Sequence, residues 1–389
     1  MPIYFIYFSI FITSMGLLRF LLAIAVILSH SGSLFGLKFV SGPTAVEAFF
    51  IISGFYIALI LNEKYVKAND SYRLFITNRF LRLYPMYWVM LIISLICSYC
   101  ISNYDATAYG SSLTYWETHA PALNFSSFFT LAFTNIFLFG QDVIMFLAVN
   151  IKTGNMFFIR DFRLSNTSAY GFLFFPQTWS IGLELTFYCV APFLVRQKYP
   201  VLIILIVISA FAKLYAITHH LNLDPWTYRF FPFELMYFLL GALAYVIYKK
   251  FIQPNKLPAW ISYSVFIGLI LLTITDGFLY TRYAGSIYCF GVFCAIPVLF
   301  KFTKNFKIDR LLGELSYPMY ITHIFVLNII KAAGITNYQN VITISGSVII
   351  SVVLIKLIGN PVEKIRQSRV KKQKGINNEP DALSVKFNN

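Results

Sequence analysis

The sequence predicts an all-α membrane protein of about ten transmembrane helices, with both termini in the cytoplasm. Three observations predict it. The 389 residues are 58% hydrophobic and only 12% charged, about half the charged fraction of a soluble domain, and the mean hydropathy is +0.69. Apolar runs of spanning length recur along the whole chain. Basic residues gather in alternate gaps between those runs, which is the signature of topology.

The runs fall at 16–36, 42–62, 83–102, 172–195, 199–219, 230–248, 259–276, 284–300, 311–330 and 341–359. With the N-terminus inside, the inner segments hold 21 of the 31 Lys and Arg, the outer segments hold 7, and Arg19, Lys213 and Lys356 lie within spans. The outer stretch 103–171 carries a further apolar run near 128–148. Were it to span, every later segment would invert and the basic tail would face outward. It is therefore expected to be a re-entrant or interfacial helix. The net charge of +15 is spread over these short gaps and does not indicate nucleic acid.

Residues 1–15 form an apolar extension, with Met15 as an alternative start; it lacks the basic flank and cleavage pattern of a signal peptide. The main domain is expected over 16–366, followed by a basic, disordered cytoplasmic tail over 367–389 suited to contact with anionic lipid. All five cysteines fall within proposed spans. Cys97 and Cys100 form a C-x-x-C without the second pair or histidine that a structural metal needs, so no metal is expected.

Ionisable groups inside these runs are costly and need a reason. Arg19 and His30 stand eleven residues apart in the first run, about three turns, so they share a face some 16 Å apart along the axis. Counted from the outer surface, His30 lies about six residues in and Glu47 of the second run about five, which predicts a catalytic His30–Glu47 pair. A pair that merely fixes helix packing is the alternative. Ser180 and Glu184 form an i,i+4 pair, and Ser316, Tyr320 and His323 line one stripe. Arg79 and Arg82, at i,i+3 on the cytoplasmic side, present two guanidinium forks that match phosphate oxygens or anchor the span. There is no Walker loop. Outer aromatics (Tyr109, Tyr115, Trp116, Trp226, Tyr228 and Tyr280) either stack on sugars or form an interfacial belt.

These residues carry a family pattern: Arg19 and His30; Glu47-Ala48-Phe49-Phe50 running to Ser53-Gly54-Phe55; Arg79-x-x-Arg82 with Leu83-Tyr84-Pro85; Trp179-Ser180 with Glu184, Phe187 and Tyr188; and Leu315-Ser316-Tyr317 with Tyr320 and His323. Over about residues 16–366 the chain resembles the acyltransferase-3 family of integral membrane acyltransferases, O-acetyltransferases of bacterial surface carbohydrates. The resemblance implies a ten-helix bundle in the bacterial cytoplasmic (inner) membrane. It would move acetyl groups from cytoplasmic acetyl-CoA, a substrate rather than a cofactor, to a surface polysaccharide such as an O-antigen, capsule or exopolysaccharide, or its lipid-linked precursor.

Carried over, His30 is the general base, acting directly or through an acetyl-histidine. Arg19 is a supporting cation or donor contact, and Arg79 and Arg82 meet CoA phosphates. Ser180, Glu184, Tyr320 and His323 support the reaction or face the acceptor. Relatives often carry Asp where this chain has Glu47. Some relatives fuse a periplasmic esterase-like domain after the last helix, whereas this chain ends soon after its last run. Transfer is thus expected to be completed within the membrane domain or by a separate periplasmic partner. Succinyl or other acyl transfer, to a glycan or a small metabolite, is the nearest alternative. A proton-coupled transporter is the more distant one, and it lacks the internal repeat such folds often show.

Overall fold

A computed structural model describes residues 15–65, 71–102, 111–278 and 283–376. Each of the ten predicted runs is a helix: α1 (Gly16–Ser31), α2 (Gly42–Glu63) and α3 (Ser71–Ser102); then, after an outer segment, α7 (Trp179–Leu194), α8 (Tyr199–Thr218), α9 (Phe231–Ile247), α10 (Ala259–Thr275), α11 (Ala284–Thr303), α12 (Lys307–Ala332) and α13 (Gln339–Leu354). Among the described residues seven helices are long and apolar enough to cross a membrane: α2, α3, α8, α9, α10, α11 and α13. The protein is an all-α membrane protein. Of the other three, α1 and α7 have 16 residues each, and the first two turns of α12 carry Lys307, Asp309, Arg310 and Glu314.

Helix α2 is the centre of the bundle, buried along nearly its whole length, while α8 and α10 are peripheral. In a bilayer, where lipid is as apolar as leucine, small residues let helices approach. A Cβ on Gly54 of α2 would lie 1.9 Å from the Phe238 carbonyl oxygen of α9, and one on Gly241 of α9 would lie 2.0 Å from that of Ile51. Two glycines thus let these backbones touch. The start of α1 has no cap of its own. Asp309 of α12 supplies it, accepting from Gly16 N at 2.8 Å and Leu17 N at 2.9 Å, while Met15 N donates to Thr303 Oγ1 at 2.8 Å.

The outer segment contains α4 (Ser111–His119), α5 (Phe125–Phe137), α6 (Gln141–Ile144) and a two-stranded hairpin, β1 (Leu147–Val149) paired with β2 (Met156–Phe158). The apolar run near 128–148 therefore breaks up. Helix α5 has 13 residues, about 20 Å of axis, short of the hydrocarbon thickness. Leu138 and Gly140 then take positive φ and turn the chain back. Phe125, Phe129 and Phe133 form an exposed stripe along α5 with stacked rings.

Two expectations about boundaries change. The first span stops at Ser31, because Gly32 adopts φ 95°; His30 is thus in the last turn and exposed, not six residues deep. The basic end, expected to lack order from 367, is helical: α13 continues through a π turn (Ile355–Gly359) into α14 (Asn360–Ile376). Its order has a packing cause, since Arg366 and Val370 are buried and Arg369 bonds to α3. Residues 1–14 and 377–389 lie outside the described residues.

Candidate functional site

Helices α1, α2, α3, α7 and α12 enclose a cavity of about 110 Å³. Its polar lining includes Arg19, Arg79, Arg82, Ser180, Glu184, Ser316 and Tyr320, seven of the ten site residues singled out in the sequence. Three helices that are far apart in sequence deliver one guanidinium pair, one further cation and one carboxylate to a single space. Arg19 and Arg79 are both buried, and neither Arg19 Nη1 nor Arg79 Nε has a hydrogen-bond partner among the described residues. Buried donors without acceptors are costly, so these point to an anion that enters from outside the chain.

Glu184 is the acceptor hub of the cavity wall. Its Oε1 takes a bond from Ser53 Oγ at 2.6 Å and another from the Tyr188 hydroxyl. Further along, Tyr320 donates its hydroxyl proton to the Gln177 carbonyl. Tyr320 has one proton to give, so Ser180 donates to Tyr320 across their 2.6 Å contact. The Gln177 side-chain amide is buried and has no partner at either end among the described residues.

Beyond the cavity the rings of Tyr320, His323 and His30 follow one another, with centroids 5.8 Å and then 5.4 Å apart. His323 Nδ1 lies 2.7 Å from the Tyr320 carbonyl oxygen. A carbonyl can only accept, so Nδ1 carries a proton and the neutral ring presents the lone pair of Nε2, which is buried and has no partner among the described residues. His30 stands next to it at the exposed end of α1, within electrostatic reach of Arg229 and Lys331.

The expected His30–Glu47 pair is not formed. Glu47 Oε1 instead accepts from Lys213 of α8 at 2.9 Å, and the same ammonium reaches Glu234 Oε1 of α9 at 2.9 Å and the Tyr237 hydroxyl at 3.4 Å. His30 and Glu47 have similar depth by residue count, but His30 is exposed at the end of α1 and the buried Glu47 leaves α2 on the side that faces α8 and α9. Depth follows from counting residues; the side a group faces depends on which neighbour covers it. Lys213 and Glu234, both visible in the sequence as ionisable residues inside apolar runs, are the signal that could have revealed this cluster. Ser316 lines the cavity too, although its hydroxyl is committed to the Gly313 carbonyl at 2.8 Å.

Arg229 also stands near His30. Asp224 fixes it bidentately, at 2.6 Å to Nε and 3.1 Å to Nη2, with its guanidinium carbon 4.7 Å from the ring centres of both Trp179 and Tyr228. Burial opposes the Arg229 charge, but the Asp224 bonds and charge, with Tyr228 and Tyr170, together outweigh it and hold the guanidinium above its usual pKa. Of the other outer aromatics, Tyr115 and Trp116 donate to the carbonyls of Ser168 and Phe172 at 3.0 and 2.8 Å and so tie down their own segment. Trp226 donates to the Arg160 carbonyl at 3.1 Å. Tyr109 and Tyr280 lie outside the described residues.

A bundle of apolar helices around a cationic cavity that leads to a histidine pair defines a multi-pass membrane protein with an internal polar site. The acyltransferase domain of the acyltransferase-3 family matches residues 12–358, and the chain belongs to this family of membrane acyltransferases. An uncharacterized protein of Aquifex aeolicus (strain VF5) is 30% identical over 207 residues, covering 49% of this chain and 89% of that relative. No solved structure matches the chain.

Proposed function

We propose that this acyltransferase takes an acetyl group from cytoplasmic acetyl-CoA and delivers it to a hydroxyl of a cell-surface glycan at the outer face of the bacterial inner membrane. The observation that carries this reading is the course of the cavity. It begins at three arginines, two of them with buried unpartnered donors, and ends at Ser180 and Tyr320 beside the two histidines. Arg79 and Arg82 would hold the donor's phosphates while the pantetheine arm threads toward Tyr320. At the outer end, His30 takes the proton of the acceptor hydroxyl as its oxygen attacks the thioester carbon. The tetrahedral intermediate then expels the CoA thiolate, which is reprotonated, and the ester forms. The thioester is already activated, so the protein supplies position and a base near neutral pH; no further cofactor is invoked.

The donor end is tested with purified protein and labelled acetyl-CoA. Arg79→Ala and Arg82→Ala are each expected to raise the donor KM roughly ten- to a hundredfold, the effect of losing a charge-assisted contact to phosphate. Unchanged donor dependence in both variants would leave the arginines as topological anchors. Failure of the wild-type protein to transfer or hydrolyse the acetyl group would remove acetyl-CoA as the donor. Mass spectrometry of surface polysaccharide with and without the gene identifies the acceptor.

The reading also requires both termini inside. Reporter fusions after Lys198, Lys250 and Arg310 are expected to read cytoplasmic, and fusions within 331–340 external. An external signal after Lys198 would mean that the region of α5 crosses the membrane, and the ten-span arrangement would fail.

A further inference from the structure

Helix α14 brings Arg366 and Arg369 against α3, beside the arginines that line the cavity. It continues α13 and runs antiparallel to α3. A Cβ on Gly359 would lie 2.5 Å from Met86 Cε, and ten residues on, Arg369 donates to Thr77 Oγ1 at 2.8 Å and Asn78 Oδ1 at 3.3 Å. In this register Arg366, seven residues beyond Gly359, is level with Arg79, seven residues before Met86. Arg366 is 8% exposed and Arg79 3% exposed. Each has a buried Nε–H with no partner among the described residues, and Arg366 lies within electrostatic reach of both Arg79 and Arg82. The carboxylate that meets Arg366 is Glu363, one turn back on its own helix.

Buried like charges repel, and orphaned guanidinium donors forfeit their hydration. Helix packing alone would be better served by an apolar residue at 366. The arrangement makes sense once a multiply charged anion sits between the two helices. Order along the cavity then says which part of the donor this is. Pantetheine leads toward Ser180 and Tyr320, and the adjoining diphosphate falls at Arg82 and Arg79, which line the cavity. The phosphorylated ribose comes last, at the level of Arg79 and Arg366.

We propose that Arg366, with Arg79, binds the ribose 3′-phosphate of the acyl-CoA and so selects CoA over donors that lack this group. The proposal rests on the acyl-CoA reading above. Its counterpart in ligand chemistry is the phosphate of an anionic phospholipid, which the same guanidinium forks would fit.

The experiment compares acetyl-CoA with acetyl-3′-dephospho-CoA in full-length protein reconstituted in nanodiscs with and without phosphatidylglycerol. Arg366→Ala is expected to raise KM for acetyl-CoA roughly ten- to a hundredfold while KM for the dephospho donor stays at the wild-type value, in both lipid compositions. That second KM also reports that the variant is folded. Arg82→Ala is expected to raise KM for both donors. If Arg366→Ala does not accumulate, Arg366→Lys replaces it: a point charge without the fork is expected to narrow the wild-type preference for acetyl-CoA.

Equal KM changes for both donors, or none for either, would overturn the 3′-phosphate assignment. An effect present only with phosphatidylglycerol would assign the site to lipid. If wild-type protein uses neither donor, the acyl-CoA reading itself falls, and the result differs from every pattern in which only the Arg366 assignment fails.

Discussion

Replacing His30 by alanine is expected to lower transfer to the acceptor about 10²- to 10⁴-fold, the usual worth of a positioned general base, with the protein still accumulating in the membrane. The ring stands at the last turn of α1 and is exposed, where, on the proposed reading, an acceptor hydroxyl would meet it first. Its removal leaves no buried partner unsatisfied, so folding is expected to survive. His323→Ala is the informative companion. That ring is fully buried, fixed by its Nδ1 bond to the Tyr320 carbonyl, and packed 5.4 Å from His30. It is expected to cost less, roughly tenfold, because it acts through the placement of His30. Rates are compared at matched protein level, over a pH series. Loss of the acid limb of the kcat/KM profile in His30→Ala, and its retention in His323→Ala, is the expected pattern. If His30→Ala keeps more than about a tenth of wild-type activity while His323→Ala abolishes it, the base is His323 Nε2.

Lys213→Met is expected to be the most destabilising single change in the bundle, costing about 3–5 kcal/mol. The three N–H groups of the ammonium meet three acceptors: Glu47 Oε1, Glu234 Oε1 and the Tyr237 hydroxyl. Glu234 is fully buried and Glu47 nearly so. Without the lysine, two carboxylates face one another among apolar helices. Adding Glu47→Gln and Glu234→Gln to Lys213→Met removes the uncompensated charge and is expected to restore most of the loss. Thermal unfolding of detergent-solubilised protein measures both, and an unchanged midpoint in Lys213→Met would show that the cluster contributes nothing to stability. The single variant Glu47→Gln separates the two roles suggested for this residue. Lost activity at wild-type stability would return Glu47 to the chemistry of His30, whereas lowered stability with retained activity per folded molecule fits its place beside Lys213.

The sequence by itself determined the all-α membrane class and where the apolar helices lie, and it named residues that the fold brings to one cavity. Hydrophobic length and the cost of intramembrane charge are local properties, readable by counting along the chain. Arg19 was legible for that reason, and Arg79, Arg82, Ser180, Glu184 and Tyr320 from their helical spacing; the cavity gathers all six. Tertiary structure alone decided who meets whom. Glu47 and His30 have similar depth by count, yet α2 is covered on different sides by different helices, and Glu47 faces Lys213. Gly32 ends α1 and leaves His30 exposed in its last turn. Arg366 reads as one more residue of a basic tail until α14 docks on α3 and sets it level with Arg79. Rise per residue gives a side chain its depth; the partner it faces is a property of the packed bundle, and the close contacts of glycines such as Gly54 and Gly241 decide which faces those are.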